Sequence, residues 1–554
     1  MVGKVNRVRL GEAMIAAGVL TEEQLGVALD EKKQSHRPLG EVLLALGFAR
    51  PEEVGAALAQ GMGIPFLRAK EIEPDPLLVS VLDPDFIRET GAVPIRMEGG
   101  VLKVAMVDPS DSQRVASVRA RFRAPVDLHL ITETDFDVLV RRMSGKTAGP
   151  LAALLANAAS TDDFSVEKVV QALFEDALGC GATDLHLEPE EDLVRVRYRV
   201  DGVLEARETL PSRHTAGLIS RIKILAGLDI SEHRRPQDGR IRARVHDRDL
   251  DMRLSVMPSV HGENVVLRLL DGQAGGVTLG ELGMHGRNMR VLKAIPQRSH
   301  GLFLVTGPTG SGKSTTLYAM LAEVDAIRRK VVTIENPIEY SMPLVRQSQV
   351  DTSIGFTFHE GLRAILRQDP DVILVGEIRD QETADMAVKA SMTGHLVFAT
   401  LHTNTAVGSV SRLIDLGIPP YLIEDSLIGS LGQRLVRKVC EACAEEIEPD
   451  ARLARLLGEQ LGTLRKGRGC ELCNGTGYSG RTVIGEVFLP DEDFAACMRN
   501  GYDPMALNEL VANCEMQSLF EDGLSKVRMG VTTIDEVDRV GRGHRLTEGD
   551  LADL

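Results

Sequence analysis

The segment Gly307-Pro308-Thr309-Gly310-Ser311-Gly312-Lys313-Ser314-Thr315 constrains the fold of this chain more than any other stretch. It follows the apolar residues 302–306 and opens a helix-forming stretch over 316–324. The glycines let backbone N–H groups turn inward around an anion, and the start of a helix adds positive potential there. A lysine closing such a loop reaches the β- and γ-phosphates of a nucleotide, and the hydroxyl after it suits Mg²⁺. All nine residues are candidate nucleotide contacts, with Lys313 on phosphate and Ser314 on the metal. Strand, loop and helix in this order belong to a parallel sheet covered on both faces.

Three later segments supply the groups that hydrolysis of a bound nucleotide needs. VVTIENPIEY (331–340) reads as a strand ending in Glu335 and Glu339. DVILVGEIRD (371–380) reads as an apolar strand ending in Glu377, with Arg379 beyond it, and TGHLVFATLHTN (393–404) as a strand bounded by His395 and His402. Ligands of open parallel sheets lie beyond the carboxyl ends of the strands. Acids there meet the phosphates, one holding Mg²⁺ through water and one orienting the attacking water. Glu377 is the candidate for the metal. Glu339 is favoured for the water, with Glu335 as runner-up.

Two cysteine pairs, Cys440/Cys443 and Cys470/Cys473, are separated by 26 residues. Each CxxC turn presents two thiolates to one metal, and two such turns complete a tetrahedral Zn²⁺ site. Four thiolates leave no open position, so the expected role is structural. Cys180, Cys497 and Cys514 follow no pattern and read as packing residues.

The formal charge of −16 argues against DNA or RNA as the main partner, because nucleic-acid motors carry a basic footprint. Trp is absent and aromatics make up 4%, which leaves little for a base-stacking surface. No apolar run approaches the ~18 residues of a membrane span, so a cytosolic protein is expected.

At 554 residues, three or four domains are expected. The first sixty residues repeat: Leu10-Gly11-Glu12 recurs as Leu39-Gly40-Glu41, Gly18 as Gly47 and Ala28-Leu29 as Ala57-Leu58, always 29 apart. Thr21 and Gln24 form a capping box in the first copy, and Pro51 suits a first helical turn in the second. The expected divisions are helical units over 1–63, a small α/β unit over 64–143, a linker over 144–164, and a second α/β unit over 165–275. An ATP-binding core over 276–554 follows, with a cysteine subdomain over 438–481.

Taken together, the four core segments resemble the Walker A, Asp box, Walker B and His box of the type II/type IV secretion ATPase superfamily, in its GspE/PulE–PilB branch. The resemblance continues upstream through ATDLHLEP, VRYRVDGVL, RIKILAGLDISEHRRPQDGRI and HGENVVLRLLD, and downstream through QRLVRKVC and GYSGR. Two departures stand out: Asn336 replaces the Asp of Glu-Asp-Pro, and Gly376 stands where many nucleotide hydrolases carry Asp. The resemblance implies an α/β fold with a RecA-like P-loop ATPase core, a preceding α/β domain, a helical-repeat plus α/β N-terminal domain and a zinc subdomain. It implies a catalytic set of Glu339, Glu377, Glu335 and His402, with Arg253, Arg268, Arg379 and Arg367 near phosphates. It also implies a cytoplasmic homohexamer docked on inner-membrane platform proteins (GspL-like and GspF-like) that drives pseudopilus assembly in type II secretion. Type IV pilus assembly is the alternative. The N-terminal repeat is similar to a c-di-GMP-binding domain of MshE-like ATPases, which makes Arg9, Leu10 and Gly11 candidate ligand residues. Lys32 in place of a Gln, and Pro38 in place of an Arg, disfavour that ligand.

Overall fold

A computed structural model of the chain describes residues 10–35, 37–72, 75, 78, 84–133, 135–136, 139–140, 151, 154–155, 165–245, 248–271, 276–449, 451–457, 463–513 and 516–541. Two compact units result, 1–147 and 148–554. Arg9, Cys514 and nearly all of the expected linker lie outside the described residues.

The first unit begins with four helices, α1 (Leu10–Ala16), α2 (Glu22–Ser35), α3 (Leu39–Ala45) and α4 (Pro51–Met62). The 29-residue repeat is physical. Gly18 and Gly47 both turn through positive φ, at 71° and 67°. Thr21 and Gln24 cap one helix reciprocally, at 2.9 and 3.1 Å, and Arg50 and Glu53 occupy the same offsets before the other. A Cβ on Gly11 would meet Leu25, and one on Gly40 would meet Val54, so the same helix crossing is built twice. Beyond lie α5 (Pro84–Thr90), β1 (Ala92–Glu98), β2 (Val101–Met106), α6 (Ser112–Phe122) and β3 (Val126–Leu130). β1 and β2 form an antiparallel hairpin, and β3 joins β2 in parallel.

In the second unit α7 (Val166–Gly179) precedes an antiparallel sheet of β4 (Ala182–Pro189), β5 (Leu193–Val200), β6 (Val203–Pro211), β7 (Gln237–Val245), β8 (Arg248–Ser259) and β9 (Gly262–Asp271). The strand order is β6-β5-β4-β9-β8-β7. α8 (Thr215–Leu225) and α7 cover the face bearing Leu185, Met252, Leu254 and Leu267. Strand alternation therefore turns Arg253 and Arg268 to the other face.

After α9 (Gly286–Ala294), the core sheet runs β12-β11-β13-β14-β10-β15-β18. Its central strands are β10 (Gly301–Thr306), β11 (Val331–Glu335), β13 (Val372–Val375) and β14 (Leu396–Leu401). All are parallel and buried on both faces, as expected of near-continuous Val/Ile/Leu runs. Helices α10 (Lys313–Ala322), α11 (Phe358–Ile365), α12 (Gln381–Met392), α13 (Gly408–Asp415) and α14 (Pro420–Ser426) follow in turn, with edge strand β12 (Arg346–Gln349) before α11. β15 (Leu427–Val439) runs parallel to β10 and antiparallel to β18 (Tyr478–Phe488). Between those two come the three-residue strands β16 (Ala444–Glu446) and β17 (Arg465–Gly467), with α15 (Ala451–Leu457). Helices α16 (Glu492–Arg499), α17 (Pro504–Asn513), α18 (Leu519–Arg528) and α19 (Ile534–Gly541) close the unit.

The strands are shorter than the sequence suggests. β11 stops at Glu335, so Glu339 stands on the loop beyond it and not at the strand end. His395 precedes β14, at the opposite end of that strand from His402.

Candidate functional site

The loop between β10 and α10 is shaped by its glycines. Gly307, Gly310 and Gly312 have φ of 144°, 78° and 85°, and a Cβ on Gly307 would lie 2.6 Å from the Gln433 carbonyl oxygen. An L side chain meets strain or collision at these positions, which leaves the backbone amides free to line a concave surface. Lys313 donates to the carbonyls of Gly307 and Pro308 at 2.9 and 3.1 Å. Burial pulls its pKa down, and the charge of Glu377 opposes that shift. Two neighbours to which the sequence assigned no role come from β15. The buried Gln433 donates to the Ser311 carbonyl at 2.7 Å, and Arg434 is held on the Asn404 carbonyl at 3.0 Å. Arg434 is near enough for its charge to act on Lys313.

The three acids have different surroundings. Glu377 follows β13 and is nearly buried, paired with Arg379 at 2.5 Å and with His402 Nε2 at 3.4 Å. Gly376, just before it, is closely packed: a Cβ there would sit 3.2 Å from the Glu335 Cα. Glu335 is 4% exposed and accepts hydrogen bonds from Tyr318 Oη, Thr333 Oγ1 (2.5 Å) and Gln347 Nε2 (3.2 Å). With its oxygens occupied by protein donors, Glu335 has little capacity left to orient a water. Glu339 lacks such a cage. Its side chain reaches solvent, yet desolvation by the protein around it pushes its carboxyl above the usual range, opposed by the positive charges of Arg253 and Arg268.

Those two arginines belong to one transverse row. Asp184, Arg268, Arg253 and Arg240 pair in register across β4, β9, β8 and β7. Arg268 Nε lies 2.9 Å from Asp184, and Arg240 pairs with Asp251, so acids within the sheet hold both ends. Arg253, in the middle, loses cation stability through burial and regains part of it from Glu339. The antiparallel domain thus presents positive charge towards the loop that carries Glu339. Arg367 is different. It is exposed, follows α11 and precedes β13, which places it at the amino edge of the sheet, away from the P-loop. Strand direction excludes it from this site within one chain.

The four cysteine sulfurs lie within 4.8 Å of one another. Sγ–Sγ separations are 3.8 Å for Cys440–Cys470, 3.8 Å for Cys443–Cys473 and 3.7 Å for Cys470–Cys473. A tetrahedron of ~2.3 Å zinc–sulfur bonds has edges of ~3.8 Å, so the donor set fits Zn²⁺. Burial pushes the Cys473 thiol up, yet amide N–H groups of Cys470 and Gly477, at 3.1 and 3.2 Å, hold it down at about 6. The knuckle is tight: a Cβ on Gly467 would fall 1.9 Å from the Gly477 carbonyl. Of the remaining cysteines, Cys180 and Cys497 are half-buried and pack on apolar clusters.

A glycine-shaped anion loop on a buried parallel strand, acids beyond the neighbouring strands and a facing row of arginines define a P-loop nucleotide hydrolase with a RecA-like core. Comparison with known proteins narrows this. The profile of the family described as type II/IV secretion system protein matches residues 159–539, and the MshEN domain profile matches 62–150, which is the small α/β unit and not the paired helices. The type II secretion system ATPase E of Vibrio cholerae is 48% identical over 386 residues, covering 69% of this chain and 76% of the relative. The type IV pilus assembly ATPase PilB of Thermus thermophilus is 40% identical over 500 residues, 87% of this chain and 56% of that protein's length. The chain therefore spans just over half of the pilus relative. Among solved structures, the Legionella pneumophila ATPase DotB aligns with a TM-score of 0.50 at 22% identity, over 67% of this chain and 94% of DotB, a likeness of fold. The chain belongs to the type II/IV secretion system protein family, and its core is the ATPase domain of that family. No helix among the described residues is long and apolar enough to cross a membrane.

Proposed function

We propose that this chain is a cytoplasmic, hexameric ATPase that couples ATP hydrolysis to pseudopilus assembly in type II secretion. The single observation that carries the chemistry is the placement of Glu339. Its carboxylate is uncaged, its pKa is raised, and it stands within the field of Arg253 and Arg268 beyond the P-loop. Lys313 and the loop amides hold the β- and γ-phosphates, while Ser314 and Glu377 offer the oxygen donors that suit Mg²⁺. Mg²⁺ held by these donors would supply the charge that neutralises the phosphate oxygens. Glu339 orients the attacking water and accepts its proton, a role its raised pKa favours. Glu335 anchors the strand end. His402 and Arg379 fix the Glu377 carboxylate, and Arg253 and Arg268 place fixed positive charge opposite the transferring phosphoryl group. Zn²⁺ at the four cysteines is structural.

The choice of type II secretion rests on the relatives at 47–48% identity that carry that name, against 40% for the pilus relative. Platform proteins at the inner membrane are the proposed partners, with the first unit as the docking element. For the paired helices we assign no c-di-GMP site, since Pro38 offers neither charge nor a donor at a position that needs Arg. Calorimetry on the full chain showing submicromolar c-di-GMP binding would reverse that choice. The hexamer is tested by the concentration dependence of turnover. If arginines of one protomer complete a neighbour's site, specific activity rises through the range in which sedimentation shows assembly. A flat profile across that range refutes the shared site.

A further inference from the structure

The loop that carries Glu339 would wander if only its ends were tied. It is instead pinned along its backbone. The Ile338 N–H donates to Gln349 Oε1 at 3.4 Å, the Tyr340 carbonyl accepts from Gln347 Nε2 at 3.1 Å, and the Met342 N–H donates to Gln347 Oε1 at 2.7 Å. These ties all come from edge strand β12. The remaining one, at Glu339 itself, comes from elsewhere: its N–H donates to the phenolic oxygen of Tyr318 at 3.3 Å.

Tyr318 lies on α10, the helix whose first turn closes the P-loop, and is 1% exposed. Its hydroxyl has one proton, which goes to the carboxylate of Glu335, so its oxygen is left to accept the Glu339 amide. Burial and the charge of Glu335 raise the phenol's pKa and keep it protonated. The ring is fixed by an edge-on contact with Tyr340, centroids 4.6 Å apart at 85°. One phenol therefore joins three things: the helix that holds the phosphates, the buried acid at the end of β11, and the backbone of the acid that orients the water.

We propose that Tyr318 is a positioning residue for ATP hydrolysis, setting the distance from the Glu339 carboxylate to the phosphates by tying its backbone to the P-loop helix. Glu335 belongs to the same device, as the acceptor that orients the Tyr318 hydroxyl. This rests on the assignment of Glu339 as the water-orienting acid, so that variant is measured alongside.

The test uses the full-length protein with Mg-ATP. Tyr318→Phe keeps the ring and its packing and removes only the hydroxyl. The expected result is about a tenfold fall in kcat with KM for ATP within about twofold of wild type, the scale of one hydrogen bond lost from the transition-state geometry. Glu335→Gln weakens the same tie from its other end, leaving a neutral amide oxygen to accept from the Tyr318 hydroxyl, and is expected to fall only a few-fold. The double variant is then expected to lose less than about twofold more than Tyr318→Phe alone, because the two act as one unit. A water-orienting Glu335 would instead lose a hundredfold or more on its own, and that result overturns the proposal. So does an unchanged kcat in Tyr318→Phe, or a rise in KM accompanied by a fall in Tm, which marks a merely structural tyrosine. If Tyr318→Phe does not fold, Glu335→Gln decides by the same criteria. Glu339→Gln separates the two levels. Wild-type turnover in that variant removes the assignment of Glu339, whereas an inactive Glu339→Gln beside a fully active Tyr318→Phe removes only the role of Tyr318.

Discussion

Around the nucleotide loop, β10, β13 and β14 are buried along their whole lengths, and the functional groups project from the ends of a seven-stranded sheet. The cysteine knuckle has less such support, chiefly Leu453, Leu457 and Leu464 packed against α18 and α19. Its strands β16 and β17 are three residues long, they form a two-stranded sheet, and the cysteines make a small cluster of their own. A two-stranded ribbon is marginal in water without further help. One site is thus a set of polar groups placed by a hydrophobic core, and the other is a fold fragment whose four clustered thiols suit a metal. The difference implies that the two fail separately: chemistry is lost at the first without unfolding, and local structure is lost at the second with the loop intact.

The strongest way to break that comparison is at Lys313. Lys313→Ala is expected to lower ATP turnover about a thousandfold, the scale of removing a preorganised charge from a transferring phosphoryl group. Zinc content and Tm should stay close to wild type, checked by metal analysis and calorimetry. Loss of zinc in this variant would show the two regions to be one cooperative structure.

Cys470→Ser probes the other side. Metal analysis is expected to fall from about one zinc per chain to near zero, and proteolysis should begin within 438–481 while nucleotide affinity persists. Retention of the full zinc content would mean that the ligands are others.

A smaller effect is expected where the knuckle joins the core. Glu536 on α19 accepts from the Arg437 backbone at 2.9 Å and side chain at 2.7 Å, three residues before Cys440. Burial would raise its pKa, but hydrogen bonds from Arg539 and Arg437 overcome this and bring it down to about 2. A depressed carboxyl pKa contributes stability that is complete above the unfolded value of 4.5 and is lost as pH falls from there through about 2. Glu536→Gln should therefore cost on the order of 3 kcal/mol at neutral pH, the scale of breaking a buried pair. It should cost almost nothing near pH 2. A cost independent of pH, measured by denaturant titration, would remove the ion pair from the account.

What could be read from the sequence follows the same division. The P-loop is one continuous segment whose chemistry is local, so spacing and residue type suffice to place it. The cysteine pairs are similar, because two CxxC turns admit few arrangements. The choice between Glu335 and Glu339 was open because it depends on donors distant in sequence, Tyr318 on α10 and Gln347 on β12, which close around one acid and leave the other exposed to the arginine row. Arg253 and Arg268 came from the resemblance alone. Their alignment is a matter of strand register, which no linear motif encodes. Arg367, which the resemblance put near phosphates, follows α11 and precedes β13, an end of the strand that residue type alone does not indicate. Gln433 and Arg434 carried no signal beyond their position in QRLVRKVC, since a polar pair in a buried strand is informative only once β15 is known to lie beside β10. The 29-residue repeat was legible down to its paired left-handed glycines.

The most direct test of the account is Glu339→Gln in the full-length chain, assayed for nucleotide affinity and for the pH dependence of phosphate release. The wild type should lose activity as pH falls through an acid limb set above the ordinary carboxylate range, because partial desolvation raises the pKa of Glu339 and turnover needs its ionised form. Glu339→Gln should bind ATP as tightly as wild type, release phosphate at least about a hundredfold more slowly, and show no such limb. Wild-type turnover with the acid limb intact would place the catalytic carboxylate elsewhere and contradict the account.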